Sequence, residues 1–182
     1  IGGPVTRFLH RAESAADLVA KTHMQRQLGQ RTGTCCQRCV GLDAINALHS
    51  VTYDIDAAHG TDYHARFLNF LAAAQRKNQV IGGAMTDAKG DRGKAPHEQV
   101  DPDGYLHISE VRDDGVLVRG AKLHQTGCIN SHWLMVMPTI RLSPEDRDFA
   151  IVGAVPAHAA GITYIYGRQA NDTRSMEEGD ID

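Results

Sequence analysis

Residues 62–78, DYHARFLNFLAAAQRKN, and residues 80–93, VIGGAMTDAKGDRG, decide the fold between them, because the periodicity of the chain changes where the two meet. In the first stretch Phe67, Phe70, Leu71 and Ala74 recur at the spacing that lines one side of a helix, and Asp62 is placed to cap it. In the second, glycines punctuate short apolar runs and the helical stripe is gone. Helix up to residue 79 and strand from residue 80 follow from that change.

The flanks agree. AESAADLVAKTHMQRQLG, residues 12–29, opens on Ser14 as a cap, carries Leu18, Val19, Met24 and Leu28 along one side and closes near Gly29. CCQRCVGLDAINALHS, residues 35–50, repeats the pattern through Val40, Ala44, Ala47 and Leu48, although Gly41 costs a helix about 1 kcal/mol relative to alanine. Downstream, YLHISEVRDDGVLVRGAKL at 105–123 reads as a hairpin turning at Asp113, Asp114 and Gly115. HWLMVMPTI (132–140), DFAIVGAVPA (148–157) and GITYIYGRQ (161–169) add three more strands at the spacing of an all-β layer. The expected class is therefore α+β, with a helical domain over 1–79 and an antiparallel β domain of five or six strands within 80–182, ending in the polar, acidic NDTRSMEEGDID.

Composition narrows the partners. The 182 residues, 42% apolar and 23% charged, suffice for a real core. The net charge is −3 and Lys and Arg are scattered, so no basic stripe invites nucleic acid. No run approaches the roughly 18 apolar residues of a membrane span, and the opening IGGPVTRFLH lacks the pattern of a secretion signal. A cytoplasmic protein without membrane contact is expected.

Three stretches carry candidate chemistry. Three of the four cysteines fall within residues 35–39. On a helix Cys35 and Cys39 would share one face, with Cys36 turned away, and two thiolates facing one way can hold a metal. The same pair also reads as two small core residues, since buried cysteine is common. MTDAKGDR, residues 85–92, sets Lys89, Asp91 and Arg92 around Gly90, as in a loop that meets an anion, or as in an ordinary charged turn. HQTGCINSH, residues 124–132, packs polar side chains directly before an apolar strand, which suits a ligand wall or a loop bonding to itself.

Four segments, TCCQRCVGLDAINAL (34–48), GAMTDAKGDRG (83–93), VLVRGAKLHQTGCINSHW (116–133) and IYGRQANDTRSMEEGDID (165–182), together resemble the 4-hydroxyphenylacetate 3-hydroxylase family of flavoproteins, and within it the acyl-CoA dehydratases. The resemblance implies a fold like that of acyl-CoA dehydrogenases, with the chain starting inside the N-terminal helical domain and stopping near the end of the middle β domain. A C-terminal helical bundle would be supplied in cis or as a separate chain, and the assembly would be a homotetramer. The resemblance also makes Cys35 and Cys39 two ligands of a 4Fe-4S cluster, with Cys36 only a neighbour and the other two ligands, a histidine and a cysteine, in the bundle. FAD would be lined by Met85, Thr86, Asp87, Ala88, Lys89, Gly90, Asp91 and Arg92 and by His124, Gln125 and Thr126, with Thr126 at the reactive edge as the catalytic residue. Cys128 stands where the family carries serine and receives no role.

The activity implied is dehydration of an acyl-CoA substrate, 4-hydroxybutyryl-CoA, to crotonyl-CoA by flavin radical chemistry, with vinylacetyl-CoA isomerisation beside it. There the flavin transiently accepts an electron and the cluster acts as a Lewis acid toward the leaving hydroxyl. Two other readings stand beside it: a flavin-dependent aromatic hydroxylase without a cluster, and a non-catalytic fragment.

Overall fold

The structure, a computed structural model, describes residues 4–35 and 38–167. Cys36 and the acidic end of the chain lie outside the described residues.

Helix α1 (Ala15–Thr32) begins where Ser14 predicts: the Ser14 hydroxyl accepts from the Asp17 amide at 3.3 Å, and the Asp17 carboxylate accepts from the Ser14 hydroxyl at 3.0 Å. It passes Gly29 and ends at Gly33, whose φ of 69° closes the last turn. None of its residues is buried, and Leu18 and Val19 face solvent. The Lys21 ammonium pairs with Asp43 on the next helix.

Helix α2 (Cys39–His59) starts at Cys39, not Cys35, and runs well beyond Ser50 before Gly60 ends it at φ 66°. Its buried face is Gly41, Leu42, Ala44, Ile45 and Thr52, while Ala47 is exposed. The stripe inferred from sequence is therefore rotated, because α2 seats its first turn on a strand through Gly41. A Cβ at Gly41 would fall on the Ile81 carbonyl oxygen and 2.8 Å from the Ile81 Cβ. The sequence argument that alanine improves this helix thus reverses sign. Gly41→Ala should destabilise the protein by about 1–3 kcal/mol, the usual cost of overpacking, and a denaturant midpoint at or above wild type would contradict that packing.

Helix α3 (Tyr63–Arg76) buries Phe67, Leu71 and Ala74 as the stripe requires, and Phe70 meets the Trp133 ring edge-on at 5.2 Å. The cap is different. Asp62 occupies the N-cap position, but its carboxylate pairs with Arg66 at 2.9 Å. Asp56, near the end of α2, bonds the Tyr63 and His64 amides instead, at 2.9 and 2.8 Å. One carboxylate thus closes the α2–α3 corner.

The β region is seven short strands in three small sheets among the described residues, not a single layer. β1 (Ile81–Ala84) runs parallel to β6 (Trp133–Val136), which pairs antiparallel with β7 (Gly153–Pro156). β2 (Thr86–Asp87) pairs antiparallel with β5 (Lys122–Leu123). β3 (His107–Arg112) and β4 (Gly115–Arg119) form the expected hairpin, with Gly115 already opposite Arg112, so the loop is Asp113 and Asp114 alone. The parallel β1–β6 pair departs from the all-antiparallel expectation; a crossover of residues 85–132 allows it. Residues 161–167 form no strand, and residues 148–149 belong to a 3-10 turn, so β7 is only the later part of its predicted run.

One core joins helices and sheet: Leu9, Leu42, Ala44, Ile45, Phe67, Leu71 and Ala74 pack with Ile81 of β1 and Met135 of β6. β6 alternates, sending Met135 to that side and Leu134 and Val136 to a smaller cluster with Ala84. Beyond the sheet, the buried Asp146 ties two 3-10 turns together, accepting from the Ser143 amide at 3.0 Å and the Ser143 hydroxyl at 2.8 Å and lying 2.7 Å from His97 Nδ1. Burial pushes the Asp146 pKa up, but its hydrogen bonds from Ser143 and His97 outweigh burial and hold the carboxyl below the usual range. The bond to Asp146 raises the pKa of His97 in turn. No helix among the described residues is long and apolar enough to cross a membrane.

Candidate functional site

The two segments expected to line a cofactor are far apart in sequence and adjacent in the fold. The β2–β5 ladder pairs Thr86 with Leu123 and Asp87 with Lys122, so Met85 and His124 follow on at the same end of it. Met85, Ala88, Gly90, Asp91 and Arg92 are exposed on one segment, His124 and Thr126 on the other, while Thr86, Lys89 and Gln125 are half-buried. Two positive φ values, 64° at Lys89 and 57° at His124, put a sharp bend in each segment. The Thr126 hydroxyl has no hydrogen-bond partner among the described residues, and Arg92 makes no ion pair among them. Donors and cations held at a bent, exposed edge fit an anionic, hydrogen-bonding cofactor such as FAD.

Asp87 does not share in that exposure. Its side chain is 3% exposed, and its carboxylate accepts from the Lys122 ammonium at 2.6 Å and from the Leu106 amide at 3.2 Å. Lys122, 9% exposed, also donates to the Met85 and Met137 carbonyls, each at 2.9 Å. Burial lowers the Lys122 pKa and the bond to Asp87 works against that shift. Asp87 therefore shapes the segment from behind. Lys122 was not singled out from sequence, where it reads as one more lysine of a hairpin arm; the only available signal was a lysine at an inward strand position facing an aspartate.

The two thiols are neighbours, but not by sharing a helix face. Cys35 lies in the exposed segment before α2 and Cys39 is the first residue of α2, and their sulfurs are 3.5 Å apart. Two thiolates on one tetrahedral ion, with bonds of about 2.3 Å, would be roughly 3.8 Å apart, so this spacing suits a single ion; in a 4Fe-4S cluster each thiolate binds its own iron, and the two sulfurs would spread apart to do so. Thiolate is the donor an iron–sulfur cluster takes, but two of them are half of a four-ligand set. Among the described residues no group of three or more metal-binding side chains occurs.

β1 lies between the two features. A Cβ at Gly82 would sit 2.6 Å from the Ser131 hydroxyl, at the end of the 124–132 loop, and one at Gly83 would fall against Val40, next to Cys39. Ser131 in turn donates to the Gly127 carbonyl at 2.9 Å. Two side-chain-free positions thus make a thin partition between the thiol-bearing helix and the polar loop.

Residues 1–182 match the model of the 4-hydroxyphenylacetate 3-hydroxylase N-terminal domain from end to end. The chain belongs to that family. Within the 4-hydroxyphenylacetate 3-hydroxylase family, it is 54% identical over 183 residues to a 4-hydroxybutyryl-CoA dehydratase/vinylacetyl-CoA-Δ-isomerase of Clostridium aminobutyricum, covering 100% of this chain and 37% of that protein. Against the oxygenase component of 4-hydroxyphenylacetate 3-monooxygenase of a Geobacillus strain it is 37% identical over 123 residues, 62% of this chain and 25% of that one. An oxygen-tolerant archaeal 4-hydroxybutyryl-CoA dehydratase from N. maritimus superimposes with a TM-score of 0.92 at 66% identity, over 99% of this chain and 36% of that one. The 4-hydroxyphenylacetate 3-monooxygenase oxygenase component complexed with FAD has a TM-score of 0.61 at 17% identity, over 86% of this chain and 32% of that one, and shares the fold. The chain therefore spans little more than a third of the length of the dehydratases it matches.

Proposed function

We propose that this chain is the N-terminal part of a 4-hydroxybutyryl-CoA dehydratase with vinylacetyl-CoA isomerase activity, its helices and small sheets being the first portion of an acyl-CoA dehydrogenase-like fold divided near residue 79. The observation that carries the reading is the β2–β5 ladder, which sets Met85–Arg92 beside His124–Thr126, with the thiol pair across the two-glycine strand. The similarity to dehydratases over the whole chain supports the same reading.

In this reading Lys89 and Arg92 offset anionic charge on FAD, and the bent backbone at Lys89 and His124 shapes the edge against which it lies. Thr126 offers its hydroxyl to the reactive ring edge. Cys35 and Cys39 hold one side of a 4Fe-4S cluster, its remaining ligands coming from the rest of the protein. When bound, FAD supplies one-electron chemistry and the cluster a Lewis acid for the departing hydroxyl. The protein's part is to fix both against the acyl-CoA and keep water out while a proton leaves the substrate. The rest of the enzyme, the tetramer and a cytoplasmic location belong to this proposal.

Thr126 tests it. One hydrogen bond among many contributes about 0.5–1.5 kcal/mol to affinity, so Thr126→Ala in the full-length enzyme should weaken FAD binding less than about tenfold. Loss of a donor at the reacting edge should slow dehydration on the order of a hundredfold. An unchanged kcat, or a loss of rate no larger than the loss of FAD affinity, would count against Thr126 at the flavin.

A further inference from the structure

We propose that Lys122 is a positioning residue for the flavin: its ammonium fixes the Met85–Arg92 segment against the His124–Thr126 segment, so that the shape of the cofactor edge depends on a side chain buried behind it. This rests on the flavin reading above. An ammonium has three donors and no acceptor, and the Lys122 ammonium meets three oxygens: the Asp87 carboxylate, the Met85 carbonyl and the Met137 carbonyl. Met85 and Asp87 bracket Thr86, so both ends of β2 are gripped from one point. Lys122 itself stands two residues before His124 on β5. The third bond anchors this node to the exit of β6, the strand shared by the core.

Among the described residues, Lys122 is the side chain on β5 that reaches both the Met85 carbonyl and the Asp87 carboxylate. The β2–β5 ladder holds two residue pairs, and a ladder that short does not set its own alignment against a one-residue slip. A slip would carry Thr126 away from the edge and turn Met85 inward. Stability alone does not call for charge here, because a buried ion pair can often be exchanged for apolar residues at little cost. Apolar replacements cannot hold the Met85 carbonyl.

The test uses the full-length, FAD-loaded protein with Lys122→Met, Asp87→Asn and the double variant, following thermal midpoint, FAD dissociation constant and visible circular dichroism of the flavin. Each single variant should lose thermal stability. The double variant should regain most of that loss yet bind FAD about tenfold more weakly or worse, with altered flavin dichroism. A double variant with wild-type FAD affinity and dichroism would reduce the pair to a structural one and overturn the proposal. If the double variant does not fold, Lys122→Arg serves, since it keeps the charge but replaces three tetrahedral donors with a planar fork; changed dichroism supports the node and unchanged dichroism overturns it. A wild-type protein that takes up no FAD would instead overturn the functional reading itself.

Discussion

Asp87→Ala should destabilise the protein by about 3–5 kcal/mol, the cost of leaving a buried charge without its partner. The remaining Lys122 ammonium would keep only two carbonyl acceptors in a place where its side chain is 9% exposed. It must then lose its proton, draw in water or open the β2–β5 ladder, and each costs free energy. The Leu106 amide would lose its acceptor at the same time. The contrast is Arg119 of the hairpin with Asp103 of the preceding 3-10 turn, where the side chains are 63% and 37% exposed; Arg119→Ala should cost less than about 1 kcal/mol. Denaturant unfolding of both variants with unchanged slope decides the matter: equal small losses would show that the buried pair has been misjudged.

Cys35→Ser and Cys39→Ser should each remove most of the cluster iron from anaerobically prepared full-length protein, while Cys128→Ser should remove none. The first two sulfurs lie 3.5 Å apart at the start of α2. Cys128 is half-buried and packs against the Ala84, Leu134 and Val136 cluster on the other face of the sheet. Serine oxygen is a poor substitute for thiolate toward a soft iron–sulfur centre, so the expected loss is large. Unchanged iron in both variants, or an equal loss at Cys128, would remove the thiol pair from the site.

The helical half was readable because α3 carries an unbroken stripe and Ser14 an ordinary cap, and both are local signals. The phase of α2 was not, because it is set by the approach of Gly41 to Ile81, forty residues away, which periodicity cannot see. Asp62 sits at the N-cap of α3, yet Asp56 makes the cap bonds, a choice that depends on the angle of the α2–α3 corner. The hairpin at 107–119 was legible from its turn and alternation, whereas the parallel β1–β6 pair is non-local and left no mark on either strand. At the site, the exposed donors could be picked out by residue type and by resemblance. Lys122 could not, since its importance comes from three acceptors delivered by two segments far apart in sequence. Helical spacing put Cys35 and Cys39 on one face of a helix, whereas Cys35 lies before α2 and reaches its neighbour from outside it.

The most direct test is to supply 4-hydroxybutyryl-CoA to the anaerobically purified full-length protein and measure crotonyl-CoA, with FAD, iron and acid-labile sulfide counted in the same sample. The expected result is crotonyl-CoA formed by a protein that holds both cofactors, and in Cys39→Ser the loss of iron and turnover together while FAD remains. An iron-free flavoprotein that leaves 4-hydroxybutyryl-CoA untouched and hydroxylates 4-hydroxyphenylacetate with oxygen would contradict the account.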